Sequence, residues 1–115
     1  MRELLCCSIV LLLTACATST TVETEPQFST TAAETLLDTA QYQREAGNVD
    51  SAAVVLERAL RIEPRNPALL LELAELRLLQ HQPSEAVALA KRARSLPGAD
   101  ARRADTIIKE GEASD

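Results

Sequence analysis

Residues 47–67 read GNVDSAAVVLERALRIEPRNP, and residues 81–98 read HQPSEAVALAKRARSLPG. The second stretch starts 34 residues after the first and repeats its plan. A turn residue comes first, Gly47 in one copy and His81 in the other. Small and large apolar residues then recur at helical spacing: Ala52, Leu56, Ala59 and Leu60, then Ala86, Leu89, Ala90 and Ala93. That period places them on one face of a helix. Each copy ends at proline, Pro64 or Pro97-Gly98, which cannot continue the helix. Between the copies, Asn66 is a helix-capping residue and Pro67 suits a first helical turn, where its missing N–H costs nothing. A further helix is expected from there to about residue 80. On the N-terminal side, Thr31-Ala32-Ala33-Glu34 is a capping box. It opens a helix expected over residues 32–46 and closed by Gly47. On the C-terminal side, Ala104, Ile107 and Ile108 give a fifth, weaker helix over residues 100–110. Either Asn48 or Asp50 serves as cap for the second helix.

A 34-residue helix–turn–helix period resembles the tetratricopeptide repeat. Ala52, Leu56, Ala59 and Pro64 match the second half of that repeat. Ala86, Ala90 and Ala93 match it again, with Pro97 one residue early. Leu36 and Ala40, then Leu70, Leu73 and Ala74, stand at the large and small positions of the first half, whereas Thr39 and Gln43 depart from the family pattern. The resemblance covers residues 33–98 and implies an all-α fold: antiparallel helical hairpins, about two repeats, and a C-terminal capping helix. The small residues let paired helices approach closely. The domain is expected over residues 32–111. Helix-hairpin repeats usually need about three copies to be stable, so self-association or a bound partner would complete this stack.

By the same resemblance, the first helix of each repeat lines a concave groove. On that alignment Leu37, Gln41 and Arg44 face the groove from repeat one, and Leu71, Glu75, Leu78 and Leu79 from repeat two. The third helix, PALLLELAELRLLQ over residues 67–80, carries more leucine than one stripe requires. Two uses of the excess are open: a groove for a partner peptide or helix, or a surface covered by the cap helix or a second copy of the chain. The basic clamp that some relatives use for C-terminal carboxylates is not matched, since Leu37 and Gln41 stand at its positions.

Composition agrees with helices. Hydrophobic residues make up 46%, mostly Leu and Ala, and aromatics only 2%. A net charge of −5 argues against nucleic-acid binding, which needs clustered Lys and Arg. Little in the chain suggests catalysis or a cofactor. His81 is the only histidine and reads as a surface turn residue. Glu72 and Glu75, at i and i+3, could serve acid–base chemistry, but a solvated helix face is the expectation. The basic runs Lys91–Arg94 and Arg102-Arg103 could touch anionic lipid or a carboxylate, but the expectation is again solvated helix ends complementing the dipole. Cys6, Cys7 and Cys16 all lie at the N-terminus, which excludes a disulfide framework or zinc site in the folded part.

Residues 4–13 form an apolar run too short for a bilayer-spanning helix of about 20 residues. It suits the core of a signal peptide. Leu13-Thr14-Ala15-Cys16 follows it directly and resembles the lipobox of bacterial lipoproteins. That resemblance implies a signal peptide over residues 1–15, acylation of Cys16, and membrane attachment through the lipid. Ala17 after the cysteine, rather than Asp, resembles outer-membrane sorting. Ala15-Cys16-Ala17 also fits ordinary signal cleavage after Ala17, which would give a soluble periplasmic protein. Residues 16–31 are the anchor and a Thr/Ser-rich tether with no apolar period. Flexible chain of that length reaches about 20 Å. The functional expectation is a non-catalytic, lipid-anchored interaction module of a bacterial envelope. Its partner would be an envelope protein or peptide, and a self-associating structural lipoprotein is the alternative.

Overall fold

The computed structural model describes residues 31–115, and the anchor and tether expectations lie outside them. Five helices follow in order: α1 (Ala32–Glu45), α2 (Val49–Ile62), α3 (Pro67–Leu79), α4 (Pro83–Arg94) and α5 (Ala101–Ser114). No strand occurs among the described residues. Each helix packs on the next, and α5 also touches α3. The chain is therefore two antiparallel hairpins and a capping helix, as the 34-residue period implied.

The helix ends follow from local chemistry. Thr31 accepts from the Glu34 amide at 3.2 Å, and Glu34 accepts from the Thr31 amide at 2.8 Å, which completes the capping box. Asn66 accepts from the amides of Ala68 and Leu69 at the start of α3. The N-cap of α2 is Asn48, but its side chain makes no capping bond and donates to Gln43 instead. Both hairpins turn in the same way. After α1, Asn48 N–H donates to Gln43 and Gly47 N–H to Arg44. After α3, Gln82 donates to Arg77 and His81 to Leu78. These are paired Schellman bonds, which need a left-handed residue in the middle. Gly47 takes that role at φ 85°. His81 takes it at φ 60°, against the preference of a residue with a Cβ, in the turn where the sequence places it.

The core lies on both sides of α3. Leu69, Leu73 and Leu76 pack with Ala33, Ala40, Ala52, Leu56 and Ala59 from the first hairpin. Leu70, Leu71 and Ala74 pack with Ala86, Ala90, Ala93, Ala104, Ile107 and Ile108 from α4 and α5. This explains the surplus of leucine: α3 is sandwiched, so it needs two apolar stripes. Fully burying one Leu contributes about 1.5–3 kcal/mol. The alanines at the helix contacts are fully buried, and their small side chains set the close approach.

The fifth helix runs to Ser114, four residues beyond the expected end at 110. Gly111 does not break it. It sits buried where α5 crosses α4, and a side chain there would meet Val87 and the Pro83 carbonyl. The tertiary contact overrides the weak helix preference of glycine.

A charged face shared by three helices

The first helix of each hairpin and the cap present side chains to one another. Asp100 caps α5 through the Arg103 amide, 34 residues after Asn66 caps α3, so α5 stands where the first helix of a third hairpin would. On this shared face Arg44 of α1 reaches two carboxylates of α3. Its Nη1 lies 2.9 Å from Glu72 Oε2 and 3.0 Å from Glu75 Oε2. From the other side, Arg103 of α5 approaches the same pair, with Nη2 2.7 Å from Glu72 and Nε 2.5 Å from Glu75. Gln41 adds a bond to Glu72 at 3.4 Å.

Two expectations are corrected here. Glu72 and Glu75 do not form a solvated helix face: Glu72 is only 6% exposed, and both carboxylates are clasped between two guanidiniums. Arg103 is likewise no solvated helix-end residue. Its guanidinium is held above its ordinary value, chiefly by the hydrogen bond to Glu75; burial opposes this, and Glu72 adds to it. A buried carboxylate is tolerable only when paired and hydrogen-bonded, and three donors converge on Glu72. The cluster binds first, central and last helices into one frame. Carboxylates engaged in this way hold the three helices in register.

The structure brings Gln41, Arg44 and Glu75 together as one group. Leu37 is half-buried against the first core cluster. Leu78 is half-buried and lines a cleft of about 460 Å³ with His81, Pro83, Glu110, Ala113 and Ser114. Leu79 is 56% exposed. Leu71, aligned to the groove, is instead 1% exposed and belongs to the second core cluster, formed where α4 and α5 pack against α3. Cys16 lies outside the described residues. A second, shallower cleft of about 390 Å³ follows the seam of α3 and α5, lined by Glu75, Arg103, Thr106, Ile107 and Glu110 among others. The two clefts share Glu110.

The α5 residues Arg103, Thr106 and Glu110 were not legible as part of this face. The 34-residue step from Asn66 to Asp100 was the available signal. Arg77 was also missed. It leaves α3 toward the second helices, where its Nη2 meets Glu57 and its Nη1 meets Gln80 at 2.6 Å. Its Nε lies 3.0 Å from Glu85 but out of line for a hydrogen bond.

The chain matches the tetratricopeptide repeat model over residues 43–106. No curated protein matches it in sequence. Among solved structures, the globular C-terminal domain of P. aeruginosa LpoP is similar, at 34% identity and a TM-score of 0.68, covering 71% of this chain and 80% of that one. A hairpin period of 34 residues, alanines at the helix contacts and a match running from the end of α1 into the first turns of α5 lead to one family: the chain belongs to the tetratricopeptide repeat proteins.

Proposed function

We propose that this protein is a lipid-anchored interaction module of a bacterial envelope, facing the periplasm from the outer membrane and binding a partner polypeptide without catalysis. Repeat proteins of this class use extended concave surfaces for binding. The observation that carries the reading is the face of α1, α3 and α5, where Gln41, Arg44 and Arg103 are locked in register by their bonds to Glu72 and Glu75. A pre-organised surface loses little side-chain entropy when a partner docks. Leu37, Leu78 and Leu79 supply apolar contact beside it, and the α3–α5 clefts extend it. The envelope assignment rests on Cys16 in its lipobox setting and on the similarity to LpoP, whose matching part is also a C-terminal globular domain. None of the described helices is long and apolar enough to cross a membrane.

Two results are expected. Wild-type protein should take up labelled palmitate, and Cys16→Ser should abolish the uptake and release or stall the protein. Wild-type protein that stays unlabelled removes the anchor. For the face, Leu79→Ala is compared with Leu73→Ala by thermal melting and by crosslinking in native envelopes. Exposed Leu79 should change stability by no more than about 0.5 kcal/mol, yet lose the crosslinked partner. Buried Leu73 should lower the melting temperature. If Leu79→Ala leaves crosslinking intact and wild-type protein scatters light as a dimer across a dilution series, the face serves self-pairing.

A further inference from the structure

The helices alternate in direction, so the ends of the stack differ. The chain enters α1 at Thr31, at the same end as the α2–α3 and α4–α5 turns. Arg92 of α4 ties two of these elements together, its Nη2 donating to the Pro64 carbonyl at 2.7 Å. This end gathers exposed arginines: Arg58 and Arg61 in the last turns of α2, Arg65 in the turn, Arg92 and Arg94 on α4, and Arg102 on α5. Among the described residues, Arg58, Arg61, Arg65 and Arg102 meet no carboxylate. The nearby acids are engaged locally. Glu34 accepts from Thr31, Glu63 from Asn66, and Asp100 caps α5, while Asp105 pairs with Arg94. Asp50, Glu85, Glu110 and Asp115 lie toward the opposite end.

The helix dipole does not account for all of these arginines. Cations are favoured at helix C-termini, which suits Arg61 and Arg94. Arg102 stands in the first turn of α5, where the dipole disfavours a cation. Arg65 stands in a turn. An external anion would give both a partner. Ile62, half exposed at 51%, lies in sequence between Arg61 and Arg65. An apolar side chain among arginines suits a lipid interface better than a purely polar acidic polymer.

We propose that this end docks on an anionic phospholipid surface, with the arginines on the headgroup phosphates and Ile62 at the headgroup boundary. The proposal rests on the lipid-anchor reading in one respect: the tether joins the domain at this end, so the anchor keeps the basic end close to the bilayer. Each arginine near such a surface should raise docked occupancy about fivefold. Docking turns the opposite, acidic end away from the membrane and leaves the α1–α3–α5 face upright beside it.

The chain has no tryptophan, so one introduced residue is a unique probe. Full-length acylated Ile62→Trp and Leu79→Trp proteins are reconstituted into vesicles carrying a headgroup quencher. The vesicles are phosphatidylcholine alone or a mixture with phosphatidylglycerol. With phosphatidylglycerol, Ile62→Trp should be quenched several-fold more than Leu79→Trp. The difference should vanish at about 0.5 M salt, where the screening length falls to about 4 Å. It should also vanish on adding Arg58→Glu, Arg61→Glu and Arg65→Glu, and survive the corresponding Arg→Lys changes, with melting curves confirming that all variants fold. Equal quenching at the two positions in the mixed vesicles overturns the proposal. Quenching that persists in the Glu variants, while binding of soluble polyglutamate is lost, also overturns it and assigns the end to an acidic polypeptide. Flotation with phosphatidylcholine at high salt separately reports the anchor. Protein that fails to float there refutes acylation, and docking is then read from salt-sensitive flotation with the mixed vesicles.

Discussion

Truncating Leu71 to alanine is expected to destabilise the folded chain by about 2–5 kcal/mol. Leu71 is 1% exposed and belongs to the core cluster that α3 shares with α4 and α5. Removing its branched end opens a cavity that helices already in close contact can fill only in part. For a domain of this size each kcal/mol shifts the melting temperature by about 4–8 °C, so a fall of about 10 °C or more should appear in a thermal melt. The comparison is Leu79→Ala, which removes the same atoms from a position 56% exposed. It should melt close to wild type. Equal melting of the two variants would mean that α4 and α5 do not bury Leu71, and that the groove assigned by family alignment was right at this position.

Gly111 gives the second large effect, and it reverses an ordinary rule. Alanine at an exposed helical glycine stabilises a helix by about 1 kcal/mol. At Gly111 a Cβ would collide with Val87 Cγ2 and come within 3.1 Å of the Pro83 carbonyl oxygen. The valine can turn aside, but the carbonyl belongs to the first turn of α4. Gly111→Ala is therefore expected to lose about 1 kcal/mol and Gly111→Leu about 3 kcal/mol, by overpacking. Helix α5 would be pushed off α4, and with it Arg103 from Glu72 and Glu75. Thermal melting of both variants checks the sign. Combining Gly111→Ala with Val87→Ala should restore part of the loss, because residues in contact do not act additively. A more stable Gly111→Ala protein would show that α5 does not pack on α4 at this point.

The charged cluster shows how a local rule and a tertiary contact diverge. Glu72 and Glu75 share a helix face whatever the fold, because i and i+3 positions always do. Water on that face was the reasonable expectation. Its fate depends on Arg44, 28 residues before Glu72, and Arg103, 31 residues after it. No local pattern links them. Exposed ion pairs contribute little, typically about 0.2–1 kcal/mol. Removing Glu72 would be felt more strongly, since it is nearly buried and would leave both arginines sharing Glu75 alone.

The sequence by itself determined the helices, their order and the ends of the first four. The Thr31–Glu34 capping box, Asn66 before Pro67, the left-handed turns at Gly47 and His81, and the 34-residue step are all encoded within a few residues or by simple repetition. Local chemistry decides such features, because helix periodicity and capping act within one or two turns. Only the tertiary structure decided which leucines of α3 were core, which carboxylates were clasped, and why α5 passes through Gly111 to Ser114. Each of these depends on which helix lies against which face, over separations of about 20 to 40 residues. A helix with apolar residues on two sides is equally ready to bury either, so the stripe holding Leu71 became core when α4 and α5 packed over it.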